Sequence, residues 1–355
     1  MEKDIKAQRK KIDIVDSGIV SLLHRRAASV RKIAGLKKRG ASEAYDPARE
    51  AMILKKLKRP KKGGFPPSGI EAVYNEIFSV SRGLQAPVRI AYLGPKASYS
   101  NLAAVKRFGK ASSYIPVMSI KDVFLEVEKG NADYGCVPIE NSTEGAVNYT
   151  YDLFADHELK IYSEVLLAIK HNLLSKEKAL KAVKLLYVHP QTLAQCRGWI
   201  EDNLGRAAIK EVSSNSRAAE LAAKTKGAAG IAGELAAEVY GLKILAKSIE
   251  DMAENITRFF ILGKGISPKS QDDKTSIMVS IKDRVGALYS LLKPFERHNI
   301  NLTNIESRPS RKKAWDYYFF VDFLGHVSSD RVVRALKEVE KECGDVRVLG
   351  SYPRF

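Results

Sequence analysis

The sequence predicts a multidomain protein with three segments of different fold class: an all-α segment, an α/β segment and a ferredoxin-like α+β segment. The chain has 355 residues, more than one hydrophobic core usually organises. The first segment shows helical periodicity with few strand signals, whereas strand-like and helix-like stretches alternate in the second. The third follows a βαββαβ order within about 80 residues, which is the ferredoxin-like layout. We place the segments at residues 1–86, 88–264 and 274–355.

The first segment predicts two long helices, at about 4–38 and 68–85, joined by a short helical element. The short element begins at Asp46-Pro47, because Asp is a common N-cap and Pro suits the first helical turn. So few helices cannot close a large core alone. We therefore expect a homodimer or a higher homo-oligomer.

The second segment predicts α/β sheets, whose ligand sites lie beyond the carboxyl ends of the strands. A polar stretch at 263–273, rich in Gly, Ser, Pro and Lys, indicates a linker to the third segment. Predicted strands lie at 134–139, 161–169, 185–188, 228–232 and 258–262, and predicted helices at 120–129 and 217–226. The third segment predicts strands at 275–281 and 346–350 and helices at 286–298 and 329–342.

The formal net charge of +18 suggests an anionic partner: nucleic acid, a membrane surface or small anionic substrates. The sequence has no zinc-finger spacing, no RNP-like aromatic motif and no basic tail, and its basic run at 55–62 fits a solvated helix end. We therefore expect no nucleic-acid partner.

The sequence contains no apolar run of about 18 residues, so we predict no membrane span. The N-terminus lacks the apolar stretch of a signal peptide, so the expected location is the cytoplasm.

The cysteines and histidines give no sign of a metal centre. Cys136, Cys196 and Cys343 are far apart without metal-ligand spacing, so we expect reduced thiols. The six histidines do not pair at metal spacing, and the Gly-x-Ser-x-Gly elbow of serine hydrolases is missing. We predict neither a metal nor a cofactor.

Two cations fall on or beside the apolar face of the first helix. Arg26 and Lys37 are 11 residues apart, which leaves them about 20° apart in azimuth and roughly 16 Å apart along the axis. Long side chains at this spacing can converge on a dianion, although both could also extend to solvent. Asp46, Arg49 and Glu50 share a second helical face at i, i+3 and i+4.

These positions resemble the all-helical class of chorismate mutase over the whole segment. By that resemblance Arg26 and the partner subunit's Arg9 would hold the substrate carboxylates. Lys37 and Gln85 would bond the ether oxygen, while Glu50 and Asp46 would meet the ring hydroxyl. Pattern and sequence agree at Arg9, Arg26, Lys37, Asp46, Arg49, Glu50, Ser81 and Gln85.

The middle segment carries hydroxyls and amides in its loops, in motifs at 94–100, 137–145, 189–191 and 257–259. Together these motifs resemble prephenate dehydratase, which implies two α/β lobes with the site in the cleft between them. By resemblance Thr257 would donate a proton or hydrogen bond to the leaving hydroxyl, and Arg258 would hold a carboxylate bidentately. One departure is Ala97-Ser98-Tyr99, where Gly-Thr-Phe is usual. The expected substrate-binding residues are Ser98, Asn141, Ser142, Thr143, Gln191, Ser214 and Phe259.

The third segment resembles the ACT domains of the bifunctional chorismate mutase/prephenate dehydratase family. The motifs are Gly286-Ala287-Leu288, at the start of a predicted helix, and Glu306-Ser307-Arg308-Pro309. The resemblance implies phenylalanine as the ligand and feedback inhibitor, bound at a dimer interface through Gly286, Ala287, Leu288, Glu306, Ser307 and Arg308.

The implied function is rearrangement of chorismate to prephenate, followed by decarboxylation and dehydration of prephenate to phenylpyruvate. Two other functions stay open at this point. One is a dehydratase that prefers arogenate, and the other is a non-catalytic, two-lobed protein that senses an amino acid.

Overall fold

The computed structural model describes residues 1–37, 44–59, 62–252, 254–281, 284–309, 317–343 and 345–354. Over these ranges it has the predicted architecture: an N-terminal helical part, a two-lobed α/β part and a C-terminal α+β part. Lys38, at the end of the first predicted helix, and residues 60–61 of the basic run lie outside the described ranges.

The N-terminal part consists of α1 (Glu2–Lys37), α2 (Pro47–Leu57) and α3 (Pro67–Gly83). Asp46 caps α2 as predicted, because its side chain accepts from the Arg49 N–H at 2.9 Å. Of the α1 residues only Val30 is buried in the single chain. The face predicted to be apolar therefore meets solvent: Ile12, Ile19, Leu22 and Ile33 are 47–59% exposed.

The first lobe is a six-stranded sheet in the order β2-β1-β3-β11-β5, with β4 beside β3. Its strand β11 comes from much later in the chain than its neighbours and pairs antiparallel with both β3 and β5. The strands are β1 (Arg89–Leu93), β2 (Ser113–Val117), β3 (Tyr134–Asn141), β4 (Gly145–Ala146), β5 (Lys160–Ala168) and β11 (Ile256–Gly263). The helices are α4 (Tyr99–Phe108), α5 (Ile120–Glu128) and α6 (Asn148–Asp156).

The second lobe is a five-stranded sheet in the order β10-β6-β9-β7-β8. The chain crosses between the lobes twice, after β5 and after β10. The strands are β6 (Asn172–Ser175), β7 (Leu185–Val188), β8 (Ala208–Glu211), β9 (Ala228–Ala232) and β10 (Lys243–Ala246). The helices are α7 (Pro190–Gln195), α8 (Arg197–Leu204), α9 (Asn215–Lys224) and α10 (Glu234–Tyr240).

The C-terminal part is a four-stranded antiparallel sheet in the order β13-β14-β12-β15, with two helices. The strands are β12 (Asp273–Ile281), β13 (Leu302–Pro309), β14 (Tyr317–Leu324) and β15 (Val346–Pro353), and the helices are α11 (Ala287–Arg297) and α12 (Asp330–Cys343).

The C-terminal sheet and the first lobe share one apolar core. Met278, Phe320, Leu349 and Tyr352 of the sheet are buried in the same cluster as residues of the lobe. At Gly350 the two parts approach so closely that a Cβ atom would lie 2.1 Å from the carbonyl oxygen of Ile161. The position therefore has no room for a side chain.

We expect Gly350→Ala to lower the free energy of unfolding by about 1–3 kcal/mol, because the backbone of β5 cannot move aside without disturbing the lobe. Thermal and urea unfolding measure this loss. Gly18→Ala is the matched control, since in the single chain no atom beyond its neighbours and its own helix backbone would lie within 4 Å of its Cβ, and alanine favours a helix. Equal unfolding midpoints for Gly350→Ala and the unchanged chain would contradict the close approach.

Candidate active sites

A cavity of about 340 Å³ lies in the cleft between the two lobes. The first lobe contributes the turn after β1, the end of β3 and the start of β11, and the second contributes the starts of α7 and α9. The described residues that line it include no Lys, Arg, Asp or Glu. Hydroxyls, amides, two histidines and aromatic carbons form the wall instead.

Thr257 and Asn141 form the polar centre of this cavity. Asn141 Nδ2 donates to the Thr257 hydroxyl oxygen at 2.7 Å and to Asn255 Oδ1 at 2.8 Å. Asn141 Oδ1 accepts from the N–H and the hydroxyl of Thr143, at 3.0 and 2.6 Å. The amide is therefore fixed on both sides. Because the Thr257 oxygen already accepts from Asn141, its own proton is the group left to donate into the cavity.

Two helix N-termini face the cavity and supply donors for an anion. Ser98 caps α4 and Ser214 caps α9, each through its hydroxyl oxygen. The backbone N–H groups of the next two residues in each helix have no acceptor within the helix. These residues, Tyr99 and Ser100 in α4 and Asn215 and Ser216 in α9, line the cavity. Helix N-termini attract carboxylates through these N–H groups and the helix dipole.

A second polar group, missed by sequence reasoning, is built on His171 and Gln195. His171 Nε2 lies 2.8 Å from Gln195 Oε1, and Nδ1 lies 2.9 Å from the Tyr99 hydroxyl. Burial lowers the pKa of His171, which favours the neutral ring. His171 could have been found from its position in the sequence, because it follows a predicted strand in the chain segment that crosses between the lobes.

Arg258 does not line the cavity, so its role as a carboxylate ligand stays a prediction that this geometry does not support. Thr257 and Phe259 face the cavity, and because side chains alternate along a strand, Arg258 points to the opposite side of β11. There its guanidinium donates to Glu164 at 2.8 Å, to Asp322 at 2.6 Å and to the Tyr352 hydroxyl at 3.1 Å. Arg258 thus joins the first lobe to the C-terminal sheet.

The ion cluster around Arg258 is buried, and its charged side chains pair with one another. Burial alone would lower the pKa of Arg258, but Asp322, Tyr352 and Glu164 raise it well above its usual value. Lys274 also contacts Glu164, at 3.0 Å from both of its carboxylate oxygens. These partners hold the Arg258 guanidinium away from the residues that line the cleft.

The other expected substrate-binding residues divide into two groups. Ser98, Asn141, Gln191, Ser214 and Phe259 line the cavity. Ser142 and Thr143 do not: Thr143 holds Asn141, and Ser142 accepts from the Ile256 N–H at 3.0 Å, which fixes the start of β11. The Ser98 hydroxyl donates to the Leu93 carbonyl at 2.9 Å, so its proton is already engaged.

The N-terminal helices bring together a second cluster of predicted residues. Arg26 Nη1 contacts the Ser81 hydroxyl, and its guanidinium lies 5.8 Å from the ring centre of Phe78. Gln85 Nε2 donates to the Ser81 carbonyl at 3.3 Å, while Gln85 Oε1 is buried without a partner among the described residues. Burial lowers the pKa of Arg26, and electrostatic interactions with Tyr74 and Glu50 partly oppose this shift.

Arg9 is not part of this cluster in the single chain. It is exposed on α1, 17 residues before Arg26, and this separation corresponds to about 25 Å along the helix. Lys37 ends α1, Asp46 caps α2, and Arg49 is exposed on α2. The cluster of the single chain thus includes the cation Arg26 but not Arg9.

The two motifs of the C-terminal part lie at one end of its sheet. β12 and β13 both meet the start of β14 there, through Ile281, Pro309 and Tyr317. Gly286, the N-cap that precedes α11, has φ +77°, a left-handed conformation that glycine adopts without strain. Arg308 pairs with Asp152 of α6 at 3.1 Å. Leu288 is 43% exposed, so this end of the sheet is open to solvent.

The described ranges contain neither a metal-binding cluster nor a helix that could span a membrane. No three His, Cys, Asp or Glu side chains come close enough there to hold a metal ion. Nor does any helix within those ranges combine the length and apolar character needed to cross a membrane.

Family models match all three parts of the chain. They are chorismate mutase type II at residues 8–86, prephenate dehydratase at 90–267 and the ACT domain at 275–341. The bifunctional chorismate mutase/prephenate dehydratase of Aquifex aeolicus is 43% identical, over 99% of this chain and 98% of its own. That of Pseudomonas aeruginosa is 40% identical over the same shares. The chain belongs to the bifunctional chorismate mutase/prephenate dehydratase family. It is therefore an enzyme that combines both activities.

A solved structure supports the same assignment for the dehydratase and ACT parts. The prephenate dehydratase of Arthrobacter aurescens, solved in complex with L-Phe, is 32% identical and matches with a TM-score of 0.69. The match covers 75% of this chain and 90% of that protein.

Proposed function

We propose that the cleft between the lobes is the prephenate dehydratase site and that Thr257 is its proton donor. The observation that carries this assignment is the Asn141–Thr257 hydrogen bond, which leaves the threonine proton to point at a ligand. As the ring carboxylate leaves as carbon dioxide, its bonding electron pair enters the ring. The ring becomes aromatic and expels the hydroxyl, which takes a proton from Thr257 and departs as water. Solvent returns the proton to Thr257. A threonine hydroxyl is a weak acid, so donation accompanies C–O cleavage.

The two carboxylates of prephenate bind, in this proposal, to the N-termini of α4 and α9. This replaces the expected Arg258 contact with backbone N–H groups and hydroxyls. Binding without a fixed cation suits a carboxylate that must lose its charge as carbon dioxide, because a tight ion pair would stabilise the ground state. Phe259 and the Tyr99 ring enclose the apolar part of the substrate.

The helical part is proposed to rearrange chorismate with Arg26, Lys37, Glu50 and Gln85. The rearrangement is unimolecular and needs neither a nucleophile nor a proton shuttle. The protein must hold a compact conformer and stabilise charge on the breaking ether oxygen. Cations and amides at the predicted positions serve that purpose.

A homodimer is proposed to complete this site, with the partner subunit's Arg9 as the second carboxylate ligand. Two features support it: the apolar face of α1 is exposed in the single chain, and Arg9 lies too far along α1 to reach its own Arg26.

Phenylalanine is proposed to bind the open end of the ACT sheet and to inhibit the enzyme. A cytoplasmic location fits the three cysteines, which are unpaired thiols.

The test of the whole assignment is incubation of the full-length protein with chorismate while prephenate and phenylpyruvate are followed. We expect phenylpyruvate to form and added phenylalanine to slow it. Prephenate that accumulates without phenylpyruvate would refute the cleft assignment. Turnover of arogenate faster than prephenate at equal concentration would show that the amino analogue is the preferred substrate.

Coexpression of Arg9→Ala and Arg26→Ala chains tests the shared mutase site. Either variant alone is expected to lose nearly all prephenate formation. Random pairing in a twofold dimer makes half of the dimers mixed, each with one intact site, so about a quarter of the activity should return. No recovery in the mixture would mean that Arg9 acts within its own chain or not at all.

A further inference from the structure

Arg82, beside Ser81 on α3, is buried next to the proposed mutase residues but belongs to none of the motifs in the sequence. Its side chain is 2% exposed. Nη1 donates to Glu50 Oε1, and Nη2 donates to the Phe108 carbonyl of the dehydratase lobe at 2.8 Å. The guanidinium also lies over two aromatic rings, 5.3 Å from the centre of Tyr45 and 5.6 Å from that of Phe108.

The position of Arg82 restricts where the Glu50 carboxylate can go. A buried guanidinium without a carboxylate partner is strongly unfavourable, so Arg82 keeps Glu50 close even before a substrate arrives. The contact uses Oε1 and leaves Oε2 as an acceptor for a substrate hydroxyl. Glu50 is 12% exposed, so it lies at the edge of the buried region, where a ligand can reach it.

The other partners of Arg82 fix it to the dehydratase lobe. Phe108 is the last residue of α4, and its carbonyl accepts from Arg82 where a helix C-terminus favours a cation. Close packing surrounds the contact: a Cβ at the next residue, Gly109, would lie 2.5 Å from the Ser79 Cβ of α3. Arg82 is therefore held by the lobe at one side and holds Glu50 at the other.

We propose that Arg82 is a positioning residue of the mutase site: it orients Glu50 toward the substrate from an anchor on the dehydratase lobe. This inference rests on the proposed role of Glu50 in the rearrangement. The geometry of the first reaction thereby depends on the docked position of the domain that performs the second.

The experiment compares Arg82→Met, Arg82→Lys and Glu50→Gln in the full-length protein. Arg82→Met keeps the length of the side chain but removes its charge and donors. We expect the mutase kcat to fall roughly 10- to 100-fold with a smaller change in KM, since a displacement of about 1 Å costs on the order of 10²-fold. Arg82→Lys should recover part of kcat, because an ammonium group can still reach Glu50. Turnover of supplied prephenate should stay near the level of the unchanged chain.

The double variant Arg82→Met with Glu50→Gln tests whether Arg82 acts by positioning Glu50 or supports the mutase site independently of Glu50. If Arg82 acts through Glu50, the double variant is no slower than Glu50→Gln alone. Arg107→Met is the matched control, because Arg107 likewise lies over the Tyr45 ring, 5.4 Å from its centre, but bonds the Tyr45 hydroxyl and not Glu50. We expect this control to leave the mutase kcat nearly unchanged.

Three outcomes would overturn the inference. One is a normal kcat in Arg82→Met while Glu50→Gln is impaired. Another is fully additive losses in the double variant. The third is a parallel loss of both activities and of thermal stability in Arg82→Met and Arg82→Lys, which would make Arg82 a structural residue only. A fully active Glu50→Gln variant would instead refute the proposed role of Glu50 itself.

Discussion

Thr257→Val should reduce turnover of prephenate by about 10²- to 10⁴-fold, the usual contribution of a positioned general acid. Valine keeps the shape of the side chain, and its branched form suits strand β11. Only the hydroxyl that Asn141 orients is lost. Formation of prephenate from chorismate should continue, so prephenate should accumulate when the variant is supplied with chorismate.

Two further variants make this result specific. Thr257→Ser keeps a hydroxyl and should retain most of the activity, whereas Asn141→Ala leaves the hydroxyl without its orienting donor and should lose a substantial part. Measured kcat and KM values for prephenate check both expectations. Unchanged kcat in Thr257→Val would exclude Thr257 as the proton donor.

Arg258→Met should lower the free energy of unfolding by about 3–5 kcal/mol, the usual cost of removing one partner from a buried ion pair. The change would leave the carboxylates of Glu164 and Asp322 buried without the cation between them. Lys274 would still neutralise Glu164, but among the described residues the Asp322 carboxylate would keep only the Ser276 hydroxyl as a hydrogen-bond donor. Urea unfolding of the full-length protein measures the loss.

The kinetic behaviour of the same variant distinguishes a structural from a substrate-binding arginine. If Arg258 only joins the lobe to the ACT sheet, the folded fraction of the variant should turn over prephenate with a nearly unchanged KM. A large rise in KM with normal stability would restore the carboxylate-binding role expected from the sequence. Lys160→Met is the control: it removes another bond across this interface, from Lys160 Nζ to the Val348 carbonyl at 2.8 Å. It should cost much less because no buried charge is left behind.

Much of the fold could be predicted because the elements have strong local signals. The buried strands at 185–188 and 228–232 have the predicted bounds, since short apolar runs between polar turns leave little freedom in their ends. The sequence could not predict the sheet order. Nothing local to β11 shows that it inserts between β3 and β5, because that pairing joins segments more than 85 residues apart.

Several residues of the candidate cleft were predicted, whereas the structure places Arg258 on the other side of β11 from the cavity. A strand was predicted at 258–262, and alternation along it would already have separated Arg258 from Phe259. The family resemblance instead predicts a charged ligand for a charged substrate. The neutral donors at the two helix N-termini were visible only as serines before helices, a pattern that usually means no more than a cap.

The position of β11 in the first lobe has a consequence for synthesis of the chain on the ribosome. Residues 89–168 leave the ribosome well before residues 256–263, and until the latter have followed, the sheet lacks its inner strand. The second lobe is complete before then and can fold first, although domains usually fold in the order of their synthesis. A nascent chain that stops before residue 256 would therefore present two unpaired strand edges, on β3 and β5, to chaperones and neighbouring chains.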